Sequence, residues 1–307
     1  MIKVNSLSGG RTSSYLAANY PADHDVFSLV CLDDQRCAPK DEAIVKYVRE
    51  KLAAFVQEFG EFIATAEDDR TLRVMMDLEQ HIGRPITWVR GMSFDQVIDI
   101  GDWRGPKTRL PSWARRYCTS TMKLLPIFLW WWQNISVKCE MRIGFRFDEF
   151  DRMERFFNNS DPTHFKVPLS CSTRGQRKQA WETFNWRKVH FPLIKEGVTK
   201  ERVDEYWDAH SFKADLFNDR RSIEFPPISN CIGCFHKQED TLAAMADLHP
   251  EKFRWFIDQE QKGMGTWLDS KVTYQHIMNN RHLPPYAMKV WEVRKNYATC
   301  DTGGCTD

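Results

Sequence analysis

The chain has 307 residues, 42% of them apolar, and its 43 Lys and Arg against 42 Asp and Glu leave a formal net charge of +1. That length supports one large domain or two modest ones with a packed core, and the near-zero charge excludes a global field that recruits nucleic acid, leaving only a local basic patch open. The most apolar run, residues 124–132, is far shorter than the ~20 residues of a membrane span, so a cytoplasmic protein with no membrane partner is expected, entering its first strand with no signal peptide.

Residues 2–7 read as a short buried strand. Ser8-Gly9-Gly10-Arg11-Thr12-Ser13-Ser14 follow, and a helix continues from Tyr15. A strand, a glycine turn and a helix start together make an anion cradle. The glycines let backbone N–H groups point inward, the hydroxyls add donors, and the helix N-terminus adds roughly half a positive charge. The loop is not GxxxxGK[ST], because the lysine and its spacing are absent. An ordinary strand–turn–helix connection is the alternative reading.

Residues 26–32 form the second predicted strand, with Asp33 and Asp34 at its carboxyl end. Ligands of open parallel sheets bind there, so these carboxylates are candidates for a ribose or a magnesium ion, or else they cap a loop. A helix is expected over 40–59, where Ile44, Val45, Val48, Leu52, Phe55 and Val56 share a face. A short strand over 62–65, a helix over 70–81 ended by Gly83 and Arg84-Pro85, and a strand over 86–89 come next. This β-α-β-α-β order predicts a parallel α/β sheet with right-handed crossovers.

Residues 102–117 are expected as loop, with Arg104, Lys107, Arg109, Arg115 and Arg116 among Trp103, Trp113 and Tyr117. Basic residues interleaved with aromatics suit a phosphate backbone and stacked bases, or simply a solvated loop. Cys118 opens the next helix, Lys123 stands one turn on, and Pro126 predicts a restart or kink before a buried helix over 124–132. A strand over 140–145 feeds Arg146, Asp148, Glu149 and Arg152, a site or an ion-pair lattice. Residues 158–179, with Arg174, Arg177 and Lys178, read as a flexible surface loop. A short strand or edge over 189–193 precedes a helix capped by Thr199, with Val203, Tyr206 and Trp207 on its apolar face. A boundary is expected between 210 and 230, dividing an α/β domain (1–215) from a helical, cysteine-bearing region (216–307) with helices over 239–247, 249–262 and about 290–297.

Nine cysteines is an odd and high number. In a reducing compartment, clustered cysteines suggest metal or sulfur chemistry rather than disulfides. Cys31 reads as core, and Cys37, Cys139 and Cys171 as structural. Cys231-Ile232-Gly233-Cys234 is a C-x-x-C knuckle whose glycine permits the turn that aims both sulfurs at one ion, and Cys300 and Cys305 make a second pair. The pairs can supply thiolates to zinc or to an iron–sulfur cluster, or remain a redox-active thiol pair. His236 reads as a neighbour of the knuckle. A helix N-terminus flanked by Arg115, Arg116 and Lys123 is expected to lower the Cys118 pKa. One ligand scheme uses Cys118, Cys231, Cys234 and one tail cysteine for a cluster. The other uses both pairs for zinc and leaves Cys118 free.

Ser8-Gly9-Gly10-Arg11-Thr12-Ser13 is similar to the SGGxDS loop of the PP-loop adenine-nucleotide hydrolases. The order of that loop, Cys118 with Lys123 and Pro126, Ile143-Gly144-Phe145-Arg146 with Asp148, Glu149 and Arg152, Phe191-Pro192-Leu193, and Asn230-Cys231-Ile232-Gly233-Cys234-Phe235 resembles the phosphoadenylylsulfate (PAPS) reductase family over about residues 1–240. The resemblance implies a Rossmann-like (adenine nucleotide alpha-hydrolase-like) sheet with helices on both faces. It implies an enzyme that binds ATP, PAPS or APS, with phosphates on residues 8–14, Lys123 in the nucleotide site, and magnesium as a further cofactor. Members of this kind reduce adenylylated sulfate, or adenylylate an oxygen of DNA, RNA or a small acceptor and replace it with sulfur. Several carry a 4Fe-4S cluster on cysteines spaced much like Cys118, Cys231 and Cys234.

The reaction expected from the resemblance is adenylylation followed by sulfur transfer. Arg11 and Arg146 would offset phosphate charge, Asp148 and Glu149 would position the acceptor or magnesium, and a sulfur donor or cysteine desulfurase and a second copy of the chain would be partners. Two features depart from the pattern: Thr12 stands where the loop usually has Asp, and the tail lacks the Glu-Cys-Gly-Leu-His ending of thioredoxin-dependent PAPS reductases. A thiol-dependent reductase and a non-catalytic, zinc-stapled nucleotide-binding adaptor are the alternatives.

Overall fold

The computed structural model describes residues 1–102, 104–158, 161–168, 181–209, 214–215, 220–221 and 231–301. In chain order its strands are β1 (Lys3–Leu7), β2 (His24–Ser28), β3 (Cys31–Leu32), β4 (Ala64–Thr65), β5 (Ile86–Val89), β6 (Cys139–Ile143), β7 (His164–Pro168), β8 (Trp181–Asn185), β9 (Arg187–His190), β10 (Ala214–Asp215) and β11 (Arg220–Arg221). The longer helices are α1 (Arg11–Asn19), α2 (Glu42–Lys51), α3 (Asp69–Ile82), α4 (Phe94–Asp99), α5 (Leu125–Asn134) and α6 (Phe150–Asn158). After them come α7 (Lys200–Ala209), α8 (Glu239–Leu248), α9 (Pro250–Gln261), α10 (Tyr274–Asn280) and α11 (Ala287–Asp301).

Five strands form a parallel sheet in the order β5-β2-β1-β6-β9. Alternate side chains serve opposite faces: Val4 and Val26 pack with Phe128 and Trp131 of α5, while Leu7 and Phe27 pack with Leu16 of α1 and Leu72 of α3. The chain leaves β1 toward β2 and β5, then crosses back to lay β6 on the other side. The crevice beyond the carboxyl ends of β1 and β6 is therefore a topological switch point, where such sheets bind ligands.

The strand predicted over 26–32 is two strands. Parallel pairing ends at Ser28 opposite Val89. The Val30 carbonyl then accepts from the Thr65 hydroxyl (2.8 Å) and the Ala66 amide (3.3 Å), and Cys31–Leu32 pairs antiparallel with Ala64–Thr65. The helix expected over 40–59 stops at Lys51 and continues as two short turns, Ala53–Phe55 and Val56–Phe59. The surface loop expected over 158–179 contains β7, which pairs antiparallel with β8; Cys171, Arg174, Arg177 and Lys178 lie outside the described residues.

Tyr117–Thr119 begins a helix that passes through a π-turn, Ser120–Leu124, before α5. Pro126 lacks the N–H that would bond the carbonyl four residues earlier, that of Met122. That carbonyl instead accepts the Ser28 hydroxyl at 3.0 Å, tying the π-turn to the carboxyl end of β2.

The helices after residue 230 share a core with the α/β part. Val30, Leu32, Phe94 and Val97 pack in one cluster with Ile232, Phe253, Trp255 and Tyr274. No helix among the described residues is long and apolar enough to cross a membrane.

Candidate nucleotide and cysteine sites

Gly9 takes φ +75°, and a Cβ there would lie 2.3 Å from Thr71 Cγ2 of α3, so only glycine fits. The Ser8 amide and hydroxyl donate to Ser13 Oγ (3.2 and 3.1 Å), and Ser13 Oγ donates to the Gly10 carbonyl (3.0 Å). The turn is thereby closed on itself, with the first-turn N–H groups of α1 pointing out of it. Gly144 backs onto this turn: a Cβ there would meet Ser13 Cα at 3.3 Å, which brings the loops after β1 and β6 together. The buried hydroxyls of Ser14 and Thr71 have no hydrogen-bond partner among the described residues.

Arg146 crosses from the end of β6 to this loop, donating to Thr12 Oγ1 at 2.9 Å. Asp148 (3.0 Å) and Glu149 (3.4 Å) hold its guanidinium, Glu149 also pairs with Arg152 (2.8 Å), and Asp148 accepts the Lys200 amide at the start of α7 (3.1 Å). Arg146 keeps the Asp148 carboxyl below the usual carboxylate range. These two acids are thus occupied in positioning an arginine. Arg11 pairs with Asp204 (2.9 Å) and Asp208 (3.6 Å) of α7, so its charge is already countered.

Asp33 and Asp34 follow β3, not a strand of the parallel sheet, because the chain peels away after Ser28. Asp33 accepts the Ser93 hydroxyl at 2.5 Å, and Asp34 caps a turn and pairs with Arg36 at 2.6 Å, which lowers its pKa. The structure does not bring them to the nucleotide loop as carboxylates free to bind a ribose or a metal.

The second site gathers Cys118, Cys231, Cys234, Lys123, Lys237 and Glu67. Ile232 of the knuckle donates its amide to the Ala66 carbonyl (2.8 Å), and Lys237 Nζ donates to the Cys231 carbonyl (2.6 Å). Tyr274 Oη donates to the Gly233 carbonyl (3.1 Å), and a Cβ on Gly233 would sit 2.5 Å from the Phe256 ring. Lys123 Nζ lies 3.6 Å from the carboxylate of Glu67, which is 1% exposed and has no hydrogen bond among the described residues. Burial raises the Glu67 pKa, against the pull of Lys123. Lys123 therefore stands among the cysteines and Glu67; its expected place was the nucleotide site.

The expectation of a lowered Cys118 pKa is corrected. Burial, followed by the neighbouring Cys234, pushes it up, and Lys123 only partly opposes them. Cys231 is pushed up to about 12, again mainly by burial. The basic residues Arg115 and Arg116 are exposed and line a hollow together with Tyr117 and Ser120. The donor chemistry of three thiols beside two lysines suits a thiolate-bound metal or cluster, since coordination of a cation would reverse the effect of burial. Among the described residues no three Cys, His, Asp or Glu side chains converge closely enough to hold a metal ion. Cys305 and the side chain of Cys300 lie outside the described residues. Helix α11 runs alongside α8 in the same direction, with Tyr286 on Glu239 and Arg294 on Asp247, so its backbone heads away from the knuckle.

One short segment joins the two sites. Thr71, in the first turn of α3, packs on Gly9, while Glu67, four residues earlier, faces the cysteine group. Lys252 of α9 fixes this segment by donating to the Glu67 carbonyl (2.6 Å) and Asp69 (2.7 Å). Glu67, Thr71 and Lys237 escaped the reading of the sequence; the available signal was the acidic run Glu67-Asp68-Asp69 just past a predicted strand.

The segment that carries Cys118 borders a hollow of about 460 Å³ lined by Arg104, Lys107, Arg109, Arg115, Arg116, Tyr117 and Ser120. Asp102 pairs with Arg104 (2.6 Å) and with Lys107, and Thr121 donates to it at 2.7 Å. No family model, no curated protein and no solved structure matches this chain.

Proposed function

We propose that this chain is an ATP-dependent sulfurtransferase of the PP-loop, PAPS-reductase-like kind. The observation that carries the reading is the joint at the start of α3, where residues 66–71 support both a closed glycine loop at the sheet's switch point and a half-buried group of three cysteines. A phosphate site and a thiol site in one crevice suit a reaction that first activates an oxygen and then replaces it.

In this reading the α1 N-terminus, the Ser14 hydroxyl and the Thr71 hydroxyl hold the phosphates of ATP. Arg146, braced by Asp148 and Glu149, faces the charge that grows as pyrophosphate departs. The acceptor oxygen bonds to the α-phosphorus as the bond to the β-phosphate oxygen breaks. A sulfide-level sulfur then attacks the acceptor, and AMP leaves with the original oxygen, so no net oxidation or reduction takes place. Cys118, Cys231 and Cys234 would be the thiolates that hold a 4Fe-4S cluster, and such a cluster would carry the transferred sulfur. Lys123 and Lys237 would offset thiolate charge, and Glu67 would balance the lysines.

The test is release of AMP and pyrophosphate from labelled ATP by anaerobically prepared protein, with sulfide and DNA, RNA or small acceptors present. Release that requires an acceptor, together with about four irons per chain and a broad visible absorbance, supports the reading; no release with any acceptor overturns it. The absence of a converged metal-ligand set among the described residues favours one second reading, reduction of PAPS or APS by a cysteine thiol. Sulfite production by colourless, iron-free protein would establish it.

A further inference from the structure

We propose that the face formed by residues 104–120, with Trp113 and His236, binds a single strand of nucleic acid beside the segment that carries Cys118.

Charge is the first argument. Of the five cations lining the hollow, Arg104 and Lys107 are countered by Asp102. Arg109, Arg115 and Arg116 are exposed and make no ion pair among the described residues. Most arginines flanking the nucleotide loop are paired: Arg11 with Asp204, Arg146 with Asp148 and Arg152 with Glu149. Three uncountered guanidiniums at one hollow, in a chain of net charge +1, form the local patch that a polyanion needs.

Shape is the second. Trp113 is 60% exposed and stands edge-on to His236, with ring centroids 4.3 Å apart. Burial, then Arg116 and Arg152, lower the His236 pKa, so both guanidiniums lie near this ring. An exposed indole near the uncountered Arg116 is a stacking platform with a phosphate contact at hand. Bases of an intact duplex are already stacked on each other, so this platform selects an unpaired strand or loop. Position is the third: Tyr117 and Ser120 line the hollow, and Cys118 lies between them in sequence.

As a binding surface this face is independent of the chemistry proposed above; as the acceptor's entrance it rests on it. The experiment uses the full chain and a labelled strand of about 15 nucleotides, followed by fluorescence anisotropy across a salt series from about 50 mM. The expected result is binding that weakens with salt. The triple variant Arg109→Ala, Arg115→Ala, Arg116→Ala should reduce the slope of log affinity against log salt by about 2, at roughly 0.7 per phosphate contact on a single strand. The triple Arg→Lys variant should keep the slope, which separates lost charge from lost folding. Trp113→Ala should bind about tenfold more weakly, and Trp113→Phe close to wild type.

No binding at low salt, or an unchanged slope in the triple Ala variant, overturns the proposal. A duplex of the same sequence binding as tightly overturns its single-strand part, and inorganic tripolyphosphate displacing the strand at equal concentration assigns the hollow to small anions instead. Strand binding without ATP turnover leaves this surface standing and sinks the sulfur-transfer reading. Turnover on a small acceptor without strand binding does the reverse.

Discussion

Gly9 shows how one residue can set a site. Its positive φ and its contact with Thr71 are two separate demands, and a methyl group violates both. Gly9→Ala is expected to lower stability by about 1–3 kcal/mol and to weaken ATP binding further, because relief requires the loop to move off α3. Urea denaturation and nucleotide titration measure the two effects, and a variant with wild-type stability and affinity would show that the turn is not built on this contact. At this scale the sequence was legible wherever a constraint is local. The glycine turn and the knuckle glycine both declare themselves within a few residues. Arg11 did not: read alone beside a phosphate loop it looks like a phosphate ligand, yet Asp204, nearly two hundred residues later, neutralises it. Cys118 failed for the opposite reason, since flanking arginines are visible in sequence and burial is not.

Elements were legible in proportion to their periodicity. The strand over 86–89 appears with those bounds, and α3 and α8 lie within a residue or two of their predicted ranges. The break after Ser28 was hidden because an unbroken apolar run reads the same whether it pairs on one sheet or on two. Hairpin β7–β8 was hidden by polar composition, since its pairing is with a neighbour across a connection that carries no hydrophobic alternation. The restart at Pro126, by contrast, is seen in the structure and has a consequence beyond α5. It frees the Met122 carbonyl for Ser28, and so couples the segment carrying Cys118 to the carboxyl end of β2. Ser28→Ala removes that donor and leaves a buried carbonyl unsatisfied. A loss of about 1–3 kcal/mol is expected, read by urea denaturation. A loss within error would mean that another donor reaches the carbonyl and that the coupling is not built on this bond.

The whole molecule behaves as one unit if its cores are joined as the packing indicates. The knuckle and the C-terminal helices insert Ile232, Trp255 and Tyr274 into one core with Phe94 and Leu32, so separating them from the α/β part would expose both surfaces. One calorimetric unfolding transition is therefore expected, with tryptophan fluorescence following the same curve. Three core thiols add a pH dependence to that transition. Burial raises Cys31 and Cys37 to about 12 and Cys139 to about 11, and they sit in three different core clusters. In the unfolded chain each ionises at about 8.5. Above that pH the unfolded state binds fewer protons than the folded state, so stability falls as pH rises. The contribution is intact below the unfolded value and is withdrawn up to the folded one, each thiol removing at most about 1.4 kcal/mol per pH unit. Scans at about pH 8 and pH 10 should show a single peak that moves to lower temperature without splitting, and Cys139→Ala should reduce the shift. Two peaks at pH 8 would mean that the cysteine-bearing helices unfold apart from the sheet. The joint at α3 would then be a contact between independent units, and the case for one crevice serving both nucleotide and sulfur would lose its structural footing.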